Sequence, residues 1–247
     1  MVKKRLRIFA GPNGSGKSTI IKAVKNKVGC PYFVNADEIC ATLRTTGKFH
    51  FQDYLMETSK EDLCDFVTSS SLFSKMGDVA DGLIDAIIVE DNVLYLAQNH
   101  VTAYFCAILA DFLRHRMLNI VEQFTVETVM SDSRKLEYFK WVKSLGYSLY
   151  LYFVSTRDPE INVYRVQQRV ASGGHDVPEE KIRSRYYKSL QNAYEMMKLC
   201  HRAYFFDNSD EQWELVAEYN EDNDELTLLN DTVPYWFNEY ILKKTGD

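Results

Sequence analysis

The sequence predicts an α/β fold of three layers, with a mostly parallel five-stranded sheet between two layers of helices. Short apolar, β-prone runs alternate with stretches of helical periodicity, a pattern that places parallel strands beneath covering helices. The chain has 247 residues, of which 46% are hydrophobic, and this is enough for a sizeable core. The first β-prone run leads directly into a glycine-rich segment and then a helix.

Each predicted strand is rich in β-branched or aromatic residues. The five runs are 6–10, 31–35, 124–127, 148–154 and 203–206. Segments with helical periodicity lie between these runs. They are 19–27, a segment that begins at 36, and about 100–119, 132–145, 159–172 and 178–200. The C-terminal segment, about 211–245, is predicted to add a β-hairpin over 213–219 and 225–229 and a docking helix over 234–244.

Residues 48–98 interrupt this alternation. They contain a helical stretch near 52–70 and a hairpin over 87–96 that turns at Asp91-Asn92. Because no linker composition flanks the segment, we interpret it as an insertion within a single domain over 1–247.

Charge and cysteine usage narrow the class of protein. The net charge of −6 argues against bulk binding of nucleic acid and leaves a local basic cleft as the alternative. The five cysteines are odd in number and lack C-x-x-C spacing, which is typical of reduced thiols in the cytoplasm. The sequence has no apolar run of about 18 residues, so no membrane span is expected.

The glycine-rich segment carries the strongest signal. It matches the Walker A (P-loop) pattern G-x-x-x-x-G-K-[ST] between a strand and a helix. Its residues are Gly11, Pro12, Asn13, Gly14, Ser15, Gly16, Lys17, Ser18 and Thr19. Glycines let the backbone wrap around a phosphate chain, and the helix N-terminus faces the anion. Lys17 adds a charge for the β- and γ-phosphates and Ser18 a hydroxyl for magnesium, so a nucleoside triphosphate and Mg²⁺ are the expected ligands.

Absent signatures exclude two classes of P-loop protein. A GTPase would need a guanine-reading Asn-Lys-x-Asp segment, and a transporter ATPase would need a Leu-Ser-Gly-Gly-Gln-like signature. The sequence contains neither motif. The P-loop alone does not name the reaction, so the other motifs of the chain must indicate the class of P-loop protein.

A basic helix and loop predict a lid. Arg165 and Arg169 are four residues apart and share one helix face. Gly173-Gly174 can act as a hinge, and Lys181, Arg183 and Arg185 follow on the next helix. Arginines beside a flexible loop can neutralise a transferring phosphoryl group and exclude water. The alternative is a solvated basic face with ordinary salt bridges.

Polar residues after three strands complete the candidate site. Asp37 is the candidate base for an acceptor hydroxyl, or else a helix N-cap. Glu127 and Thr128 are candidates for contacting the acceptor, with Glu127 also able to hold Mg²⁺ through water, or to be a buried carboxylate satisfied by backbone N–H groups. Asn208 either touches the nucleotide base or belongs to a turn.

In this order the motifs resemble the zeta-toxin-like P-loop kinases. The resemblance rests on the P-loop, Asn-Ala-Asp-Glu-Ile at 35–39, Glu127-Thr128, Gly-Tyr at 146–147, Arg165, Arg169, Gly-Gly-His-Asp-Val-Pro at 173–178, Arg-Tyr at 185–186 and Phe-Asp-Asn-Ser at 206–209. It covers about 1–46 and 100–210. The segment after Glu127 departs from the family pattern of Gly-Thr followed by an arginine, because it is Thr-Val-Met-Ser.

The resemblance implies a P-loop domain with a nucleotide-kinase-like sheet. It also implies transfer of the ATP γ-phosphate to a hydroxyl, which in the best-known members belongs to UDP-N-acetylglucosamine. It makes Asp37 the acceptor-activating residue, Lys17 and Ser18 the ATP and Mg²⁺ residues, Glu127 a sugar-nucleotide contact, and Arg165 or Arg169 a lid arginine. The expected acceptor is a small molecule, with a nucleotide sugar as one candidate and an antitoxin as a candidate protein partner. The alternative function is an ATPase or nucleotide-gated switch that acts with a protein partner.

Overall fold

The structure is a computed structural model that describes residues 3–174 and 176–246. The chain divides into two compact units. The first comprises the described residues up to Pro31 and those from Thr125 onward, and the second is Tyr32–Phe124.

Ten strands and eight principal helices make up the described fold. In chain order the strands are β1 (Arg5–Ala10), β2 (Phe33–Val34), β3 (Lys48–His50), β4 (Ile88–Glu90), β5 (Val93–Tyr95), β6 (Gln123–Thr128), β7 (Ser148–Ser155), β8 (Arg202–Asp207), β9 (Glu214–Asn220) and β10 (Glu225–Leu228). The helices are α1 (Lys17–Val28), α2 (Ala36–Thr46), α3 (Lys60–Ser69), α4 (Leu83–Ala86), α5 (Ala103–Ile120), α6 (Arg134–Ser144), α7 (Pro159–Ala171) and α8 (Glu179–Leu199). A C-terminal helical segment follows through Tyr235–Phe237, Asn238–Leu242 and Lys243–Thr245.

Six strands of the main sheet belong to the first unit, in the order β10-β9-β8-β7-β1-β6. β7 pairs in parallel with both β1 and β8, whereas β9 and β10 run antiparallel. The predicted α/β fold with a mostly parallel sheet is confirmed, and the predicted C-terminal hairpin is β9–β10. Because β9 pairs with β8, the hairpin continues the sheet beyond the five strands that were predicted.

The C-terminal helical segment covers one face of this sheet. Its Trp236, Phe237 and Ile241 side chains are buried, as the docking prediction requires. The Trp236 ring centroid lies 6.0 Å from that of Phe153 on β7, and the Phe237 centroid lies 5.1 Å from that of Phe205 on β8. Large apolar rings from a terminal segment thus fill the core below the parallel strands.

The second unit has its own small antiparallel sheet in the order β3-β5-β4. Its β4–β5 hairpin turns at Asp91 and Asn92, whose φ angles of 48° and 62° are those of a primed turn that suits the twist of two strands. The hairpin is where the sequence predicts it. The predicted helical stretch at 52–70 is divided between a 3₁₀ turn at Phe51–Tyr54 and α3.

Two further observations concern the whole described chain. The five cysteines are free thiols. Of the helices in residues 3–174 and 176–246, none combines the length and the apolar character needed to cross a membrane.

Candidate functional site

The P-loop joins the end of β1 to the start of α1. Gly11, Gly14 and Gly16 have φ angles of 142°, 77° and 89°, a region that favours glycine. Neighbouring atoms approach them closely: a Cβ on Gly11 would lie 2.0 Å from the Val154 carbonyl oxygen, and one on Gly16 would lie 1.9 Å from the Asn208 side-chain nitrogen. The three glycines are therefore needed both for the path of the loop and for its packing.

Lys17 is the first residue of α1, and its ammonium group is buried inside the loop. Nζ donates to the carbonyl oxygens of Gly11 at 2.9 Å and Pro12 at 3.0 Å. The Glu127 carboxylate, at the end of β6, lies 3.6 Å from the same nitrogen. Because β6 is next to β1 in the sheet, the lysine and the glutamate meet at its carboxyl edge. The pairing compensates a charge that burial would otherwise destabilise.

Side chains from distant segments support the loop. The Asn162 Nδ2 group on α7 donates to the Asn13 carbonyl at 2.7 Å, and the Asn208 Nδ2 group donates to the Ser15 carbonyl at 2.9 Å. Arg185 on α8 donates to the Asn13 side-chain oxygen at 3.3 Å. Of the predicted residues outside the loop, the structure therefore brings Glu127, Asn208 and Arg185 to it.

Asn208 belongs to a short segment after β8 that is held by its own hydrogen bonds. The Asp207 carboxylate accepts from the Ser209 backbone N–H at 2.9 Å and from the Trp236 indole N–H at 2.6 Å. The bond between Ser209 and Asp207 forms an Asx turn, which agrees with the prediction that Asn208 belongs to a turn. A contact of Asn208 with the nucleotide base stays a prediction.

Arg165 lies on α7, and its guanidinium is directed at the same segment. It donates to the carbonyl oxygens of Asn208 at 2.7 Å and of Ser209 and Asp210 at 3.5 Å. Burial lowers the pKa of Arg165, while Asp207 and Asp210 oppose that shift, and an arginine remains charged throughout. In this structure Arg165 anchors the segment that carries Asn208, and its role in a lid stays a prediction.

We expect Arg165→Ala to lower the free energy of unfolding by about 1–2 kcal/mol, because it removes charged hydrogen bonds to backbone carbonyls. Urea denaturation monitored by circular dichroism measures this. The matched control is Arg157→Ala, which removes an exposed ion pair with Asp210 and is expected to change stability by less than about 1 kcal/mol. Wild-type stability for Arg165→Ala together with lost nucleotide turnover would instead place Arg165 on the phosphates.

The remaining predicted lid residues lie around the α7–α8 connection. Arg169 is in the last turn of α7, where its carbonyl accepts from the Gly174 N–H at 2.9 Å. Arg183 bonds Glu160 at 2.7 Å and Glu179 at 3.0 Å, so it ties the start of α8 to the start of α7. His175 lies outside the described residues. The hinge and lid functions of this connection stay predictions.

Thr128 ends β6 beside Glu127, and its hydroxyl is engaged. It accepts from the Met130 backbone N–H at 3.3 Å and from the Lys135 ammonium group. Met130 has a φ of 59°, unusual for a residue with a side chain. Asn192 on α8 stabilises this bend by donating to the Met130 carbonyl at 2.9 Å. Contact between Thr128 and an acceptor stays a prediction.

Asp37 lies in the second unit, in the first turn of α2, with an exposed side chain. The N-cap of this helix is Asn35, whose Oδ1 accepts from the backbone N–H groups of Asp37 at 2.8 Å and Glu38 at 3.5 Å. The helix-cap alternative for Asp37 is therefore excluded, because Asn35 supplies the cap. Its role as a base stays a prediction.

The loop fits a triphosphate and its magnesium ion. Gly16, the N-cap of α1, has no side chain to occupy the helix N-terminus, and Lys17 adds a positive charge there. Within the described chain the Ser15 hydroxyl is buried and has no hydrogen-bond partner, so it can bond a phosphate oxygen. The Ser18 hydroxyl is exposed. Residues 3–174 and 176–246 contain no cluster of three or more His, Cys, Asp or Glu side chains that could hold a metal. Ser18 is the P-loop residue that could hold Mg²⁺, together with the phosphates.

Two contacts at the site were missed by sequence reasoning. Asn162 gave a weak signal in the sequence, because it is a polar residue beside the apolar Val163 and Val166 of α7. All three side chains are buried in the structure. Lys135, on the Thr128 hydroxyl, gave none, because its position seven residues after Thr128 becomes significant only when the chain bends at Met130.

No family model matches the sequence. A stretch of 63 residues is 32% identical to an uncharacterized protein of Haemophilus influenzae, covering 26% of this chain and 45% of that protein.

Among solved structures, the AvrRxo1-ORF1:AvrRxo1-ORF2 complex with sulphate ions matches 93% of this chain with a TM-score of 0.58 and 15% identity. A complex of the same proteins with ATP matches 92% of the chain, also with a TM-score of 0.58. The chain spans about three-fifths of the length of these neighbours, 62% and 61% respectively.

A structure of the PezAT chromosomal toxin–antitoxin system of Streptococcus pneumoniae matches 97% of this chain and 78% of its own, with a TM-score of 0.53 and 12% identity. At these identities the neighbours show that this chain shares their fold.

Proposed function

We propose that this chain is an ATP-dependent phosphotransferase that moves the γ-phosphoryl group of ATP to a hydroxyl of a small molecule. The observation that carries the proposal is the P-loop, in which the buried Lys17 ammonium lies 3.6 Å from Glu127. A neighbour of the same fold has been solved with ATP, which supports ATP as the nucleotide.

The phosphate chain is proposed to bind at the N-terminus of α1. The backbone N–H groups of the loop, the Lys17 ammonium and the Arg185 guanidinium supply the positive charge that the phosphate oxygens need. Lys17 would exchange its bonds to the Gly11 and Pro12 carbonyls for bonds to phosphate. Arg185 is already beside the loop through Asn13.

A magnesium ion is proposed to bind at the Ser18 hydroxyl, with Glu127 holding one of its water ligands. When bound, the ion neutralises charge on the β- and γ-phosphate oxygens. Glu127 would then serve two cations, because its carboxylate is also the partner of Lys17.

Asp37 is proposed as the acceptor-activating base. The acceptor oxygen forms a bond to the γ-phosphorus while the bond from that phosphorus to the β–γ bridging oxygen breaks, so that ADP leaves. The proton of the hydroxyl goes to the Asp37 carboxylate. The exposure of this side chain and its independence from the helix cap support the role.

A protein partner is also proposed. A toxin–antitoxin system and a two-protein complex share the fold, which supports an antitoxin as the class of partner.

The free thiols of the five cysteines support a reducing compartment such as the cytoplasm.

The proposal is tested by incubating the protein with γ-labelled ATP and a panel of hydroxyl-bearing metabolites, including nucleotide sugars. We expect label in one acceptor class for the wild type and none for Lys17→Ala. Lys22→Ala, on an exposed position of the same helix, is the matched control and should retain the wild-type rate. Release of labelled phosphate without any labelled acceptor, stimulated by a protein, would instead favour an ATPase switch.

A further inference from the structure

A cavity of about 270 Å³ lies within the second unit, between α2 on one side and β3 with the 3₁₀ turn that follows it on the other. Four aromatic residues line it: Tyr32, Phe33, Phe49 and Tyr54. Phe49 and Tyr54 belong to the segment that the family resemblance does not cover. The cavity is therefore a feature of this chain that the phosphate-binding loop does not explain.

Internal contacts fix the aromatic walls. The rings of Phe49 and Tyr54 are stacked, with centroids 5.7 Å apart and planes 21° apart. The Tyr54 hydroxyl donates to the Phe33 carbonyl at 3.0 Å, which connects the two sides of the cavity. Tyr32 has a φ of 45°, a backbone conformation that a residue with a side chain rarely adopts. Such a residue often marks a functional site.

The charge of the lining is negative. Glu38 and Asp53 line the cavity with exposed carboxylates. Burial raises the pKa of Tyr54 to about 12, and the charges of Glu38 and Asp53 add to the shift, so both carboxylates lie near this phenol. Among the described residues that form the lining, none is a lysine or an arginine.

We propose that this cavity binds an organic cation, with its ammonium group against the aromatic rings and beside the two carboxylates. Aromatic rings attract cations through their electron-rich faces, and this attraction is strongest where water is excluded. The carboxylates supply the counter-charge at the rim. The same charges disfavour an anionic group such as a diphosphate.

The cavity also suggests the class of acceptor, an inference that rests on the proposed function. Glu38 lines the cavity, and the candidate base Asp37 is the residue before it in the same helical turn. A ligand bound here through its ammonium group would present a nearby hydroxyl to that turn. The acceptor class is therefore a hydroxyl-bearing organic cation of the amino-alcohol type.

Binding is tested by calorimetry without nucleotide, with choline and its neutral isostere 3,3-dimethylbutan-1-ol as probes. The two molecules have nearly the same shape and differ in charge. We expect choline to bind at least about tenfold more tightly. Equal affinity for the two probes, or no binding of choline, would overturn the proposal and leave at most a site for a neutral group.

Variants locate the binding within the cavity. Asp53→Asn, Glu38→Gln and Phe49→Leu are each expected to weaken choline binding by at least about threefold, because each removes charge or ring surface. Glu61→Gln is the matched control, since Glu61 is an exposed acid in the first turn of α3, as Glu38 is in α2. Unchanged choline affinity in all three cavity variants would contradict this location.

The two proposals fail separately. Lys17→Ala, which should disable transfer, is expected to leave choline binding unchanged because Lys17 does not line the cavity. Choline binding without label transfer from ATP to any amino alcohol would overturn the acceptor class and keep the cation site. Transfer to another class without choline binding would overturn the cation site and keep the phosphotransferase.

Discussion

Asp37→Asn is expected to lower phosphoryl transfer by about 10²–10⁴-fold while ATP affinity stays at the wild-type value. The amide has almost the shape of the carboxylate but cannot accept the proton of the acceptor hydroxyl. The fold should not change, because the α2 helix is capped by Asn35 and not by Asp37. Transfer is measured with labelled ATP and the best acceptor of the screen, and affinity with a fluorescent ATP analogue.

The control for Asp37→Asn separates chemistry from helix stability. Asn35→Ala removes the cap and is expected to lower the free energy of unfolding by about 1 kcal/mol, which Asp37→Asn should not do. If Asp37→Asn transfers phosphate at the wild-type rate, the base lies elsewhere. If it unfolds as readily as Asn35→Ala, its effect on transfer is structural.

Gly16→Ala is expected to abolish tight ATP binding and to destabilise the protein by about 2–4 kcal/mol. The φ of Gly16 is 89°, and a Cβ there would lie 1.9 Å from the Asn208 side-chain nitrogen. Asn208 would have to move, and its hydrogen bond to the Ser15 carbonyl would be lost. The affinity for ATP should fall by at least about tenfold, which corresponds to about 1.4 kcal/mol of binding free energy.

Gly29→Ala, at the opposite end of α1, is the matched control. Gly29 also has a positive φ, 64°, but a Cβ there would meet no atom within 4 Å. With its ψ of 135°, Gly29 lies outside the left-handed helical region, so Gly29→Ala should show backbone strain of about 1–3 kcal/mol with unchanged ATP affinity. Equal losses of ATP affinity in the two variants would show that helix strain, and not the contact with Asn208, controls the loop.

The fold was largely predictable because its signals are local. The strand before the P-loop, the Walker A pattern and the helix after it are contiguous in sequence, and each has a period or composition that one element explains. The hairpin at Asp91-Asn92 was predictable for the same reason, since two residues determine the turn. The pairing of the C-terminal hairpin with β8 was not, because the choice of an edge depends on the assembled sheet.

The site was predictable only in part because its contacts join distant segments. Lys17 could be assigned from its motif, but its ion pair with Glu127 depends on the order of β1 and β6. The basic character of α7 predicted a lid arginine, but the direction of the Arg165 guanidinium depends on where β8 ends. The spacing of residues within one helix shows which side chains share a face. It does not show which segment of the chain packs against that face.

The contacts of Asn162, Asn208 and Arg185 have a consequence for the entropy of nucleotide binding. In this order, the three contacts join the P-loop to residues that are 149, 193 and 172 positions away in the chain. The loop therefore takes its shape only when the rest of the first unit is folded. A loop that is ordered in advance loses little conformational freedom when it binds a ligand. ATP would then bind the folded chain and not the unfolded one, and an increase in Tm with ATP concentration would report directly on the integrity of these three distant contacts.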